Sequence, residues 1–211
     1  GERGLEVAVC YMTYANTWRR TELLNGLWHA GVRKYPVLLE NVDHNSRSLV
    51  NAYSAWDRDD VLAQVTQVLN TLNPEVVVTH DIEGEYGHGA HRVCADLMME
   101  YVSRQQKDAA LWPVKKLYLH LYPENVIDMD WRVPLEHFGG KTALKVAAEA
   151  FEYHASQRNS SAKYNGKEFV FEVRDNGDFD NSLFGLYYTA VGPDDALADG
   201  QAQAGAAAGG V

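Results

Sequence analysis

Val76-Val77-Val78-Thr79-His80-Asp81-Ile82-Glu83-Gly84-Glu85-Tyr86-Gly87-His88-Gly89-Ala90-His91-Arg92 is the stretch that decides the fold. Three consecutive valines with no polar alternation predict a buried strand of a parallel sheet covered on both faces. A loop follows in which Gly84, Gly87 and Gly89 let the backbone turn sharply and come close to a small ligand. After His91 the pattern is helical, with Val93, Leu97, Met98 and Tyr101 along one stripe. Strand, glycine-rich loop, helix is where open α/β sheets place ligands, outside the carboxyl ends of the strands.

His88 and His91 stand three apart at the start of that helix, so both imidazoles can face one side of its first turn. The helix N-terminus disfavours the imidazolium form and keeps a histidine available as a metal ligand or neutral donor. Taken alone, such a pair also reads as two solvated cap residues. The preceding strand and the crowding of Glu83, Glu85 and Tyr86 favour a site.

Outward from this stretch the chain alternates. Leu5 to Met12 and Tyr35 to Glu40 predict strands, and Trp18 to Ala30 a helix with Leu23, Leu24, Leu27 and Trp28 inward and Gly31 as its C′ residue. Asp43 to Tyr53 reads as polar and irregular. Arg58 to Leu72 is an amphipathic helix, carrying Val61, Leu62, Val65, Val68, Leu69 and Leu72 at the helical period, and Asn73-Pro74 ends it. Val114 to Tyr122 predicts a strand and Lys141 to Arg158 an alanine-rich helix ending in His154-Ala155-Ser156-Gln157. Phe169 to Val173 and Leu183 to Ala190 predict strands flanking an acidic turn. The fold class is therefore α/β, Rossmann-like, with a mostly parallel sheet flanked by helices. One domain spans residues 1–194, and 195–211 is an Ala/Gly-rich tail expected to be flexible.

With 211 residues the chain suffices for one sizeable core. A net charge of -10 argues against a nucleic-acid partner, which needs a basic face. No apolar run is long enough to span a membrane. Cys10 and Cys94 define no disulfide framework and are expected to be small buried groups. Compartment and oligomeric state, including a homo-oligomer, stay open. The order G-x-x-G-x-G-x-H from Gly84 to His91 has neither the Rossmann nor the P-loop spacing for a nucleotide.

Thr79-His80 followed by Gly84-Glu85-Tyr86-Gly87-His88-x-x-His91-Arg92 resembles the second signature of the LmbE-like (PIG-L) family, zinc-dependent de-N-acetylases of N-acetylglucosamine-containing compounds. Gly89 stands where the family usually has proline. Thr13, Arg19-x-x-Glu22, Gly31-Val32, the His154-x-Ser156-Gln157 element and Phe184-Gly185-Leu186-Tyr187 resemble further family segments. The resemblance implies that His91 is a metal ligand and that His88 stabilises the oxyanion of the tetrahedral intermediate. It makes Arg19, and more weakly Asp43, substrate-binding residues. Arg19 and Glu22, three apart, are expected to pair at the pocket rim. No chemistry is assigned to His154.

The family's first signature, His-Pro-Asp-Asp-Glu, is not in this chain. In the family it supplies the other metal ligands and the general base. The expectation is therefore that a first strand and helix, roughly 30 residues, are absent, and that the remaining Zn²⁺ ligands belong to that segment. The function implied is zinc-dependent hydrolysis of the acetamide of a small N-acetylated amino sugar or its conjugate. The alternative is a non-catalytic carbohydrate-binding or scaffold protein of the same fold.

Overall fold

The computed structural model describes residues 3–14, 16–120, 126–127, 131–156 and 188–191. In chain order these form β1 (Cys10–Tyr11), α1 (Thr17–His29), β2 (Val37–Leu38), α2 (Leu49–Tyr53), α3 (Arg58–Leu72), β3 (Val76–Thr79) and α4 (Gly84–Gly87). Then come α5 (Gly89–Gln105), β4 (Lys116–His120), β5 (Val126–Ile127), β6 (Pro134–Leu135), a 3₁₀ turn (Glu136–Phe138), β7 (Lys141–Thr142), α6 (Ala143–Phe151) and β8 (Tyr188–Val191). The expected strand at Phe169 to Val173, the acidic turn after it and the tail lie outside the described residues. The chain divides into two compact units: Gly1–Asp43 with Met129–Gly185, and His44–Asp128 with Leu186–Val211.

In the first unit β1 and β2 pair in parallel, and α1 packs on α6. Asn16 caps α1 by accepting the Arg19 N–H (3.0 Å). The helix ends in a Schellman motif: Gly31 N–H donates to the Trp28 carbonyl and Val32 N–H to that of Leu27. Gly31 sits at φ 83°, and a Cβ there would lie 2.9 Å from the Phe138 ring. Trp28, expected inside, is 64% exposed. Its ring is covered by the Arg33 guanidinium at 4.1 Å from the centroid, and Arg33 also donates to the Trp28 carbonyl.

In the second unit β3 and β4 pair in parallel, and β8 lies antiparallel between β4 and β5. α3 spans the expected residues, capped by Asp57 and ended by Asn73 in the left-handed region. The stripe on α5 lies inside as expected: Val93, Leu97, Met98 and Tyr101 are buried. Tyr101 keeps its hydroxyl satisfied by donating to the Trp112 carbonyl (3.0 Å). Gln105 ties the end of α5 to the entry of β4 through a two-way amide contact with the Val114 backbone (2.9 Å each way). Tyr53 and Arg58 converge on Asp96 of α5, joining α2, α3 and α5.

Three further expectations are corrected. The β3 valines are not covered on both faces: Val77 packs on the core of Leu69, Met98, Leu117 and Leu119, while Val76 and Val78 are half exposed. A strand places successive side chains on opposite faces, and α5 packs on only one. The stretch from Asp43 to Tyr53 contains the short helix α2, capped by Ser48. Cys10 is exposed, because β1 lies in a two-stranded sheet and not a deep core, and Cys94 on α5 is half-buried.

Gly31→Ala is expected to destabilise the chain by about 1–2 kcal/mol through its left-handed backbone alone, with displacement of the Phe138 ring adding to this. Urea denaturation measures it, and an unchanged midpoint would show that the Schellman end of α1 is not formed.

Candidate functional site

The loop after β3 is built by short backbone contacts. Asp81, 7% exposed, accepts the Glu83 N–H with its side chain, and its carbonyl accepts the Gly84 N–H (3.0 Å). Gly84 (φ 67°) and Gly87 (φ 86°) take left-handed conformations, so the expected loop closes as the single turn α4. Arg92, one turn into α5, reaches back to clasp the loop: its Nε donates to the Glu83 carbonyl (3.0 Å) and a terminal nitrogen to the Glu83 carboxylate (2.9 Å). In the sequence Arg92 stands out only as the last residue of the signature. Its place at the end of the signature, opposite a loop glutamate, was the available signal.

Gly89 opens α5 for a different reason. Its φ is ordinary, but its N–H donates to the Ser46 carbonyl (2.7 Å), and a Cβ would meet Ser46 Oγ at 2.0 Å and the Ser48 carbonyl at 2.7 Å. This explains the departure from proline at this position. A proline would lose the donor and place its ring where the Ser46–Ser48 backbone runs.

His88 and His91 are brought together. Both are half-buried, with ring centroids 4.8 Å apart and planes tilted by 41°. His80, at the end of β3, stacks on His91 at 3.8 Å and 15°. Three imidazoles therefore share one place between the strand end and the first turn of α5. His80 had not been singled out as a site residue. Its place in the quoted signature, immediately after the strand, is the signal that marks it. The side chains of Glu85 and Tyr86, expected to crowd the site, lie outside the described residues. Catalytic zinc takes three protein ligands with an open position for water. Among the described residues no group of three or more His, Cys, Asp or Glu side chains is gathered to hold a metal ion, so this donor set is not a complete zinc site by itself.

Arg19 and Asp43 belong to the first unit. Asp43 is exposed in the loop after β2. Arg19 does not form the direct rim pair expected with Glu22. Glu22 is 3% exposed. It accepts the Ser156 N–H (2.7 Å) and the Ser156 hydroxyl, and Arg19 donates to Ser156 Oγ (3.1 Å). Burial raises the Glu22 carboxyl, but the two hydrogen bonds from Ser156, with the Arg19 and His154 charges, outweigh it and leave the group below the usual glutamate value. His154 packs against Gly26, where a Cβ would stand 2.9 Å from its Nε2, and burial lowers its basicity.

Gly89→Ala is expected to cost about 1–3 kcal/mol, because the Ser48 carbonyl cannot step aside as a side chain would. The same denaturation measurement checks it. Glu22 gives a pH signature. A carboxyl depressed in the folded state contributes stability above its unfolded value, and that contribution disappears as pH falls through the folded value. Stability of the native chain should therefore fall with acidification below the ordinary glutamate range, while the Glu22→Gln profile is flatter there. Parallel profiles would mean that the carboxyl is not held as described.

Residues 1–102 match the family described as PIG-L, GlcNAc-PI de-N-acetylase. A 1D-myo-inositol 2-acetamido-2-deoxy-alpha-D-glucopyranoside deacetylase of Catenulispora acidiphila is 31% identical over 109 residues, covering 48% of this chain and 33% of the relative. One from Saccharopolyspora erythraea is 25% identical over 146 residues, 64% of this chain and 52% of the relative. The chain thus spans between a third and about half of these two curated relatives. The solved N,N'-diacetylchitobiose deacetylase of Pyrococcus horikoshii superposes with a TM-score of 0.55 at 18% identity, over 89% of this chain and 72% of that one, a likeness of fold. The signature carrying His88 and His91 lies inside the matched segment, and over residues 1–102 the chain is PIG-L-like (LmbE-like).

Proposed function

We propose that this chain belongs to a hydrolase that removes the acetyl group from an N-acetylglucosamine-containing substrate. The observation that carries the reading is the cluster of His80, His88 and His91 at the carboxyl end of a parallel strand. It occupies the place where an α/β sheet presents ligands. The PIG-L match and the deacetylase relatives support the same chemistry.

Metal dependence is a general property of PIG-L deacetylases. The proposal takes the metal to be zinc and His91 to be one of its ligands; zinc would supply a Lewis acid and an acidified water. The described residues do not complete that site. What the chain itself supplies is a donor and an anchor. His88 would donate a hydrogen bond to the amide oxygen as negative charge grows there, a role worth on the order of 3 kcal/mol. Arg19 would hold the sugar by hydrogen bonds to its oxygens, and Asp43 would accept from a hydroxyl.

In the whole hydrolase with zinc, His88→Ala should lower kcat for acetate release from an N-acetylglucosamine conjugate by about a hundred- to a thousandfold, as expected for loss of an oxyanion donor. His91→Ala should abolish turnover and also weaken zinc binding, followed by calorimetry independently of activity. Native turnover in His91→Ala would remove the ligand assignment. A chain that binds the sugar but neither zinc nor any other divalent metal would favour a carbohydrate-binding protein of this fold.

A further inference from the structure

We propose that Ser156 and Glu22 are positioning residues that hold the Arg19 guanidinium in one orientation for a sugar oxygen. The inference rests on the substrate-binding role proposed for Arg19.

The geometry within the first unit carries it. Arg19 is half-buried on α1, and among the described residues its side chain makes one hydrogen bond, to Ser156 Oγ at 3.1 Å. A guanidinium has five N–H donors in a planar fork, so most of them stay available to a ligand. The hydroxyl that fixes the fork is itself fixed. Its proton goes to Glu22 Oε2, which leaves its lone pairs facing Arg19, and the Ser156 N–H to Glu22 Oε1 anchors the backbone that carries it. Glu22 is thus bound by two donors of one residue 134 positions away in sequence. A carboxylate buried to this degree is costly without such partners.

The arrangement exceeds what fold stability needs. An apolar pair would join α1 to the segment after α6 at no desolvation cost. Here instead Gly26 leaves out its side chain and lets His154 approach α1, with Ser156 next but one. The chain of bonds runs in one direction, from buried carboxylate to hydroxyl to guanidinium. A long flexible side chain held this way loses less freedom when the ligand binds.

The test uses the 211-residue chain with N-acetylglucosamine as the probe. Nitrogen NMR of Arg19 should show separately resolved Nη resonances in the native chain and their coalescence in Ser156→Ala. Affinity for the sugar should fall about tenfold in Ser156→Ala, the loss expected for one ordered hydrogen-bonding group. Ser156→Thr, which keeps the hydroxyl, should restore both signals. In the Arg19→Ala background, Ser156→Ala should cost nothing further, since it acts through Arg19. A purely structural Ser156 would give additive losses and an unmoved Arg19 spectrum, and either result overturns the proposal. Should Glu22→Gln unfold, Ser156→Ala carries the test, with the urea midpoint as its control. A native chain that binds no N-acetylglucosamine, but whose Arg19 resonances still depend on Ser156, would remove the amino-sugar reading and leave the clamp standing.

Discussion

The Gly89 N–H bond to the Ser46 carbonyl fixes where α5 begins, and the second unit depends on that start. The contact is possible only without a side chain at residue 89. It sets the first turn of α5 beneath the end of β3, so His91 meets His80 and His88 in one place. Seventeen residues of helix then run from that point. Their buried stripe locks the rotation of the first turn, because Val93 and Leu97 lose all exposure at that one setting. Local steric fit at one glycine and the hydrophobic stripe farther along the helix therefore specify the same geometry. Arg92 adds a third tie by holding the loop from the far side.

Much of this was legible in the sequence because it is periodic. α3 and α5 each bury a stripe at helical spacing, and Asn73-Pro74 marks the end of α3. The strand–loop–helix signature placed the imidazole pair for the same reason: its parts are close in sequence. The α/β class followed from alternation, and the parallel pairs β1–β2 and β3–β4 agree with it. The antiparallel β8 could not be foreseen, since strand direction depends on where a distant segment returns.

What escaped the sequence was non-local or short. α2 has five residues, too few for a period to show, although Ser48 ahead of Asn51 is a capping pattern. Trp28 was placed inside by its hydropathy, but an indole can be covered by a cation as well as by a core, and Arg33 lies five residues on. Glu22 was read as the helical neighbour of Arg19, the only partner visible within one turn. Its donor is a serine reached through the whole intervening chain. No spacing rule connects those positions. The His154-x-Ser156 element was noted in the sequence, and its meaning appeared only when the structure set it beside α1.

The two residue clusters solve the same problem by different means. On the roles proposed, a polar group has to be held in one place. The imidazoles are brought together by ring stacking and by a helix start that backbone contacts define. Arg19 is held through a hydroxyl, which takes one donor and leaves the rest of the fork. In the second case the buried carboxylate is essential to the logic. A serine hydroxyl alone can rotate and act as donor or acceptor, and so would not select one guanidinium orientation. Once its proton is committed to Glu22, it presents only acceptor lone pairs, and a cationic donor is the partner those lone pairs favour. The burial of Glu22 is thereby explained: a solvated carboxylate would trade Ser156 for water, and the direction of the whole chain of bonds would be lost.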